Sequence, residues 1–197
     1  MKSQYRLLIF VLAFLIMSCN QKNEVLTSTQ YSEHLIPLAV GNSWTYSRSD
    51  YDTLGKVTTT YTYPTRIEYD TIVGGVHWFS LLDVDVSVWY RDSVAGVVMY
   101  PSNKLLYKYP ASKQDSFPAA IGTYTMKVIS IDTTINVTAG TFTCYAYLEA
   151  NPPDSYFIYY YYVSPGIGVV KSEAYRRTQS RSYLPWMMSE LKSYIVH

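Results

Sequence analysis

The sequence predicts an all-β fold: a single domain over about residues 35–197, built from ten to eleven antiparallel strands. The sheet is expected to be curved into an open half-barrel or a β-sandwich-like barrel. Three observations predict it. Apolar and polar residues alternate with a period of two, as on a half-buried strand. Turn-forming residues recur at short intervals. No window shows a capped helical period, although Trp186 to Tyr194 has room for one helical turn.

The clearest alternation is Asp83-Val84-Asp85-Val86-Ser87-Val88-Trp89-Tyr90-Arg91, which as one strand places Val84, Val86, Val88 and Tyr90 on one face. Thr141 to Glu149 alternates as well, with Phe142, Cys144, Ala146 and Leu148 opposite Thr141, Thr143, Tyr145, Tyr147 and Glu149. Val57 to Tyr63 is β-branched and aromatic throughout, which suits a pleated, half-buried surface. Turns are expected at Leu54-Gly55-Lys56, Gly74-Gly75, Ala95-Gly96, Asp132-Thr133, Asn151-Pro152-Pro153-Asp154 and Ser164-Pro165-Gly166. The strands between them fall at about 43–51, 56–63, 65–73, 76–83, 84–91, 96–100, 104–109, 124–131, 141–149, 156–163 and 167–178, with a last one near 189–195. Residues 110–122 read as a long polar loop.

The first nineteen residues carry an address. Lys2 and Arg6 precede an unbroken apolar run from Leu7 to Met17. That run is shorter than the ~20 residues a bilayer-spanning helix needs, and fits the ~7–15 of a signal-peptide core. It ends in Ile16-Met17-Ser18-Cys19, which resembles the lipobox of bacterial lipoproteins. The resemblance implies a signal peptide over residues 1–18 and acylation of Cys19, whose thiolate is the nucleophile that takes the lipid. Residues 19–34 then form a lipidated cysteine and polar tether. Asn20 to Glu33 spans about 45 Å when fully extended at ~3.3 Å per residue. The expected location is the cell envelope, anchored most simply in the outer membrane on its periplasmic or surface side.

Composition narrows the function. The 16 basic and 15 acidic residues nearly cancel, so the basic stripe of a nucleic-acid binder is missing. Removal of residues 1–18 takes away Lys2 and Arg6, leaving 14 basic against 15 acidic residues. With Cys19 acylated, Cys144 has no intramolecular disulfide partner. Charged residues make up only 16% of the chain and aromatics another 16%, with 22 tyrosines and 4 tryptophans.

Three further landmarks are Pro37-Leu38-Ala39-Val40-Gly41-Asn42-Ser43-Trp44-Thr45-Tyr46, Ala139-Gly140-Thr141-Phe142-Thr143-Cys144-Tyr145 and Pro165-Gly166-Ile167-Gly168-Val169-Val170-Lys171. In this order, behind the lipobox, they resemble segments of a large group of uncharacterised Gram-negative lipoproteins. The resemblance implies a strongly curved antiparallel sheet like the open half-barrel of periplasmic lipoprotein carriers. It implies no activity.

Catalytic signatures are sparse. The histidines are His34, His77 and His197, and no HxxxH or CxxC spacing accompanies them, so no metal site or cofactor is expected. There is no Gly-x-Ser-x-Gly elbow. Cys144, flanked on its face by Phe142 and Leu148, reads as a buried structural thiol. Asp83 and Asp85 share a face of one continuous strand with Ser87 and Arg91, which reads as a solvated outer face rather than a carboxylate pair for glycoside hydrolysis. Gly166-Ile167-Gly168 lacks the third glycine and following helix of a dinucleotide fingerprint.

The unusual feature is tyrosine. Residues 156–162 place Tyr156, Ile158, Tyr160 and Tyr162 on one face and Phe157, Tyr159 and Tyr161 on the other. Rings on both faces mean that both are covered or that one lines a groove. Tyrosine's apolar body and polar tip suit concave binding surfaces. Trp44, Tyr156, Tyr160 and Tyr162 are therefore the candidate ligand-binding aromatics. The sequence reads as a non-catalytic binding module with an aromatic-lined concave face for a hydrophobic, glycan or protein ligand. A structural component of an envelope assembly is the alternative, and a hydrolase a remote one.

Overall fold

Asn42 ties the segment at Pro37 to His197. In the computed structural model, which describes residues 33–84, 86–150 and 155–197, its side chain is fully buried and its amide donates to the Pro37 carbonyl at 2.8 Å. The same side chain accepts the His197 backbone N–H at 3.0 Å, and its backbone carbonyl accepts from Ile67 at 2.9 Å. Gly41, beside it, adopts φ +96°, a region that favours glycine. The signal peptide over 1–18, Cys19 and the tether up to residue 32 lie outside the described residues, as does Asp85.

Twelve strands follow: β1 (Ser43–Tyr51), β2 (Val57–Val73), β3 (Val76–Asp83), β4 (Val86–Ser93), β5 (Gly96–Met99) and β6 (Lys104–Lys108), then β7 (Ser116–Pro118), β8 (Thr125–Val137), β9 (Gly140–Ala150), β10 (Phe157–Ser164), β11 (Gly168–Arg177) and β12 (Tyr183–Ile195). They form one antiparallel, barrel-like sheet in the order β6-β5-β4-β3-β2-β1-β12-β11-β10-β9-β8-β7. The all-β expectation holds, with one or two more strands than the alternation predicts. The first and last strands are neighbours, pairing from Ser43↔Ile195 to Asp50↔Met187.

Several departures from the sequence reading have local causes. The spans 56–63 and 65–73 are one strand, β2, because Pro64 is tolerated inside it. It pairs with Thr45 of β1, while pairing with β3 starts only at Thr65. A residue lacking an N–H costs little where one neighbouring strand is missing. Pro185 uses the same device, since β1 stops at Met187. Asp132-Thr133 is not a turn but lies within β8, where two register irregularities absorb it. The expected loop over 110–122 contains the short β7. The segment Trp186 to Tyr194 is strand, with no helical turn.

The alternating run from Asp83 to Arg91 is two strands rather than one. Asp83 pairs with Val86, so the chain turns at Val84 between β3 and β4. Val84 has φ 56° and is 50% exposed, an uncommon conformation for a β-branched residue. The turn reverses the faces: Asp83 shares a face with Val86, Val88 and Tyr90, opposite Arg91, instead of with Ser87 and Arg91.

The core sits inside the curved sheet. Leu35, Ile36, Trp44, Tyr46, Ile67, Tyr107, Tyr145, Tyr147, Val163, Val170 and Leu191 are among its buried members. Edge strands β6 and β7 are not paired by a ladder. The gap is spanned by side chains instead: the Tyr147 hydroxyl on β9 donates to the Lys108 carbonyl at 2.8 Å, and Lys108 Nζ meets Asp115 Oδ2 at 2.8 Å. The Tyr107 ring lies 5.0 Å from that of Tyr147 and 5.8 Å from that of Tyr161, and Tyr109 meets Tyr145 edge-on at 5.3 Å. Each such ring pair is worth ~0.5–1.5 kcal/mol beyond its burial, so this seam is a substantial adhesive.

Candidate functional site

The first and third landmarks meet directly, and the second reaches β12. The Trp44 Nε1–H donates to the Ile167 carbonyl at 2.6 Å and the Tyr46 hydroxyl to the Val169 carbonyl at 2.8 Å. Gly166 N–H donates to the His34 carbonyl at 2.9 Å. Gly168 has φ +98°, a region that favours glycine, and lies against Ile36 and Trp44. The Ala139 N–H donates to the Leu191 carbonyl, and Phe142 packs edge-on against Tyr194. The third landmark fastens the arm before β1 onto the sheet, and Ile36 and Trp44 line a pocket.

That pocket has a volume of about 190 Å³. Six aromatic side chains line it: Trp44, Tyr46, Tyr63, Tyr90, Tyr107 and Tyr161. Ile36, Leu81, Leu106, Gly168 and Val169 complete the apolar wall, while Thr65, Asp83, Ser172 and Ser189 supply polar groups. The space exists because two small residues face each other in register on adjacent strands, Ser172 of β11 and Ser189 of β12. Asp83, exposed at the end of β3, forms the rim and accepts from the Thr65 hydroxyl at 3.1 Å. Tyr63 donates to Ser189 Oγ at 3.3 Å, and its ring stacks on Tyr46 at 5.5 Å.

Burial sets the protonation of these rings. It pushes the Tyr46 phenol far above its ordinary value, with Tyr63 and Asp83 adding to the rise. Burial, then Asp83, pushes Tyr90 up to about 12. Tyr107 and Tyr161 are raised well above the usual tyrosine range by burial first. All four stay neutral hydroxyls at physiological pH. The Tyr161 hydroxyl donates to Glu149 Oε2 at 2.9 Å, and burial raises the Glu149 carboxyl. The hydroxyls of Tyr90 and Tyr107 carry no hydrogen bond among the described residues.

Of the four candidate aromatics, only Trp44 lines the pocket. Tyr160 and Tyr162 lie on the other face of β10, and Tyr156 just precedes that strand. Tyr161, whose strand partners are Tyr147 and Ser172, is the ring that points inward. Tyr160 packs edge-on against Tyr175, and Tyr156 is 59% exposed. Asp83 reads as solvated in the sequence but lines the pocket, because its partner across the turn, not its neighbour along the chain, decides its face. The serines at 172 and 189 were the legible signal: small polar residues within otherwise bulky strands leave room inside a sheet.

Elsewhere the thiol is buried and two histidines are paired. Cys144 is fully buried, and burial pushes its thiol up to about 12. His34 pairs with Asp92 at 3.0 Å and His77 with Asp70. Among the described residues no three His, Cys, Asp or Glu side chains converge as metal ligands.

No family model matches the chain. No curated protein matches it either. Two solved structures resemble it at low identity. A protein of Bacteroides fragilis, provisionally described as exported and with a YmcC-like fold, superposes with a TM-score of 0.47 at 15% identity, over 81% of this chain and 98% of that one. A protein of Parabacteroides distasonis, provisionally described as a lipoprotein, gives 0.43 at 13% identity, over 84% and 100%.

Proposed function

We propose that this chain is a lipid-anchored protein of the cell envelope, tethered through Cys19 to the outer membrane, whose β domain binds a small ligand and turns nothing over. The lipobox at residues 16–19 supports the anchoring. The observation that carries the binding role is the aromatic pocket with its paired serines and its two unpartnered tyrosine hydroxyls. Six rings around open space, with polar groups on a few further residues, are the pattern of a small-ligand site. A cavity of about 150 Å³ is known to hold a benzene-sized guest, whereas drug-sized ligands take roughly 300–1,000 Å³. At about 190 Å³ the pocket therefore suits one ring or a compact head group and not a whole acyl chain. Its lining holds a single carboxylate and neither cysteine nor histidine, which is a poor start for a hydrolase.

The tyrosine-filled interior beside the pocket favours a second reading, a structural component of an envelope assembly. Ser172→Leu separates the two. Native mass spectrometry of wild type and variant, extracted from the envelope in mild detergent, should show a small non-covalent adduct on the wild type alone. No adduct on either protein, with a higher melting temperature in the filled variant, would favour the structural reading. Cys19→Ser tests the anchor: the variant should leave the membrane fraction, and continued sedimentation with membranes after a high-salt wash would refute lipid attachment.

A further inference from the structure

The pocket's charge is one-sided. Asp83 lines it, and no lysine, arginine or histidine does. The nearby cations are engaged elsewhere. Lys171, adjacent to Ser172 but on the opposite side of β11, is held by both Glu173 and Glu190 at 3.0 Å. Arg48 pairs with Asp50 at 2.9 Å and lies over the Tyr61 ring. A neutral ligand would gain no charge pairing from Asp83, which lies exposed at the rim. An anion would add repulsion. A cation would be paired with the carboxylate and would also meet the negative faces of the surrounding rings.

Building on the binding role proposed above, we infer that the pocket selects an organic ammonium head group, held among Trp44, Tyr46, Tyr63, Tyr90 and Tyr107 and charge-paired with Asp83. Six rings around about 190 Å³ give the aromatic enclosure that such cations favour. The Tyr90 and Tyr107 hydroxyls are then free to serve a polar substituent of the same ligand. The Asp83 carboxylate, pinned by Thr65 at 3.1 Å, needs no rearrangement to receive the charge.

The test is calorimetric titration of the full-length protein in detergent with three probes: choline, its uncharged carbon isostere 3,3-dimethylbutan-1-ol, and glucose. Choline should bind at least tenfold more tightly than the isostere. Asp83→Asn, which retains the acceptor for Thr65, should weaken choline at least tenfold while leaving the isostere and the melting temperature unchanged. Equal affinity for choline and isostere, tighter binding of glucose, or indifference to Asp83→Asn would overturn the ammonium assignment while leaving the pocket a binding site. Failure of all three probes to bind would overturn the assignment and count against the binding role as well.

Discussion

Replacing Asn42 with alanine should destabilise the domain through two specific orphaned groups. The substitution deletes the amide that donates to the Pro37 carbonyl at 2.8 Å and the oxygen that accepts from the His197 N–H at 3.0 Å. A buried polar group left unpaired costs ~1–3 kcal/mol. Pro37 is half-buried and His197 exposed, so water rescues part of the loss and the sum is about 2–4 kcal/mol. At ~2–4 °C per kcal/mol for a domain of this size, the melting temperature should fall by roughly 4–16 °C. Asn42→Asp sharpens the test. It preserves shape and the acceptor for His197, but turns a carboxylate oxygen toward the Pro37 carbonyl in a fully buried site. It should be no better than alanine. Both variants leave intact the backbone bond from Ile67, so a difference between them reads the side chain alone. A thermal melt followed by circular dichroism measures it. An aspartate variant that melts with the wild type, or an alanine variant within ~2 °C of it, would refute the hub.

Tyr161→Ala on β10 should cost ~3–5 kcal/mol and Tyr156→Ala, just before that strand, within about 0.5, as expected for an inward ring and an exposed one; similar urea midpoints for the two would refute the inward placement of Tyr161. Cys144 should resist iodoacetamide in the native protein and alkylate once unfolded, because burial lifts its thiol to about 12; labelling within minutes under native conditions would contradict this. Glu149 has its folded-state carboxyl raised by burial, so the native state holds that proton to higher pH than the unfolded state does. Its contribution to stability is therefore present in acid and lost as pH rises from the ordinary carboxylate range through the raised folded value. Glu149→Gln should flatten that decline and match or exceed the wild-type melting temperature at neutral pH, and a steeper decline in the variant would show the sign to be wrong.

The strands were legible because period-two patterning and turn chemistry act locally. β1 and β3 begin and end where the alternation and flanking turns place them. What local patterning could not convey was pairing. Pro64 looks like a break until the strand that fails to reach it is known. Val84 reads as a core-facing valine, yet it turns the chain, and its turn carries Asp83 to the inner face. The candidate site inherits the same limit. Tyr156 to Tyr162 announces an aromatic strand, but only its partners, Tyr147 on one side and Ser172 on the other, decide that Tyr161 faces the cavity. Cys144 was readable because its own neighbours at two-residue spacing are apolar, which requires no knowledge of distant strands.

The strand order has a consequence for how the molecule assembles. Its two halves, β1–β6 and β7–β12, are each a succession of hairpins between consecutive strands, the cheapest contacts for a chain to find. The first and last strands form the middle of the finished sheet, while β6 and β7, on either side of residues 109–115, supply the margins. Each half therefore has what it needs to begin organising as soon as its own residues are available. The β1–β12 ladder must wait for the final residues of the chain. A chain delivered across a membrane N-terminus first would thus carry an organised leading half with β1 unpartnered on one side until the last strand arrives.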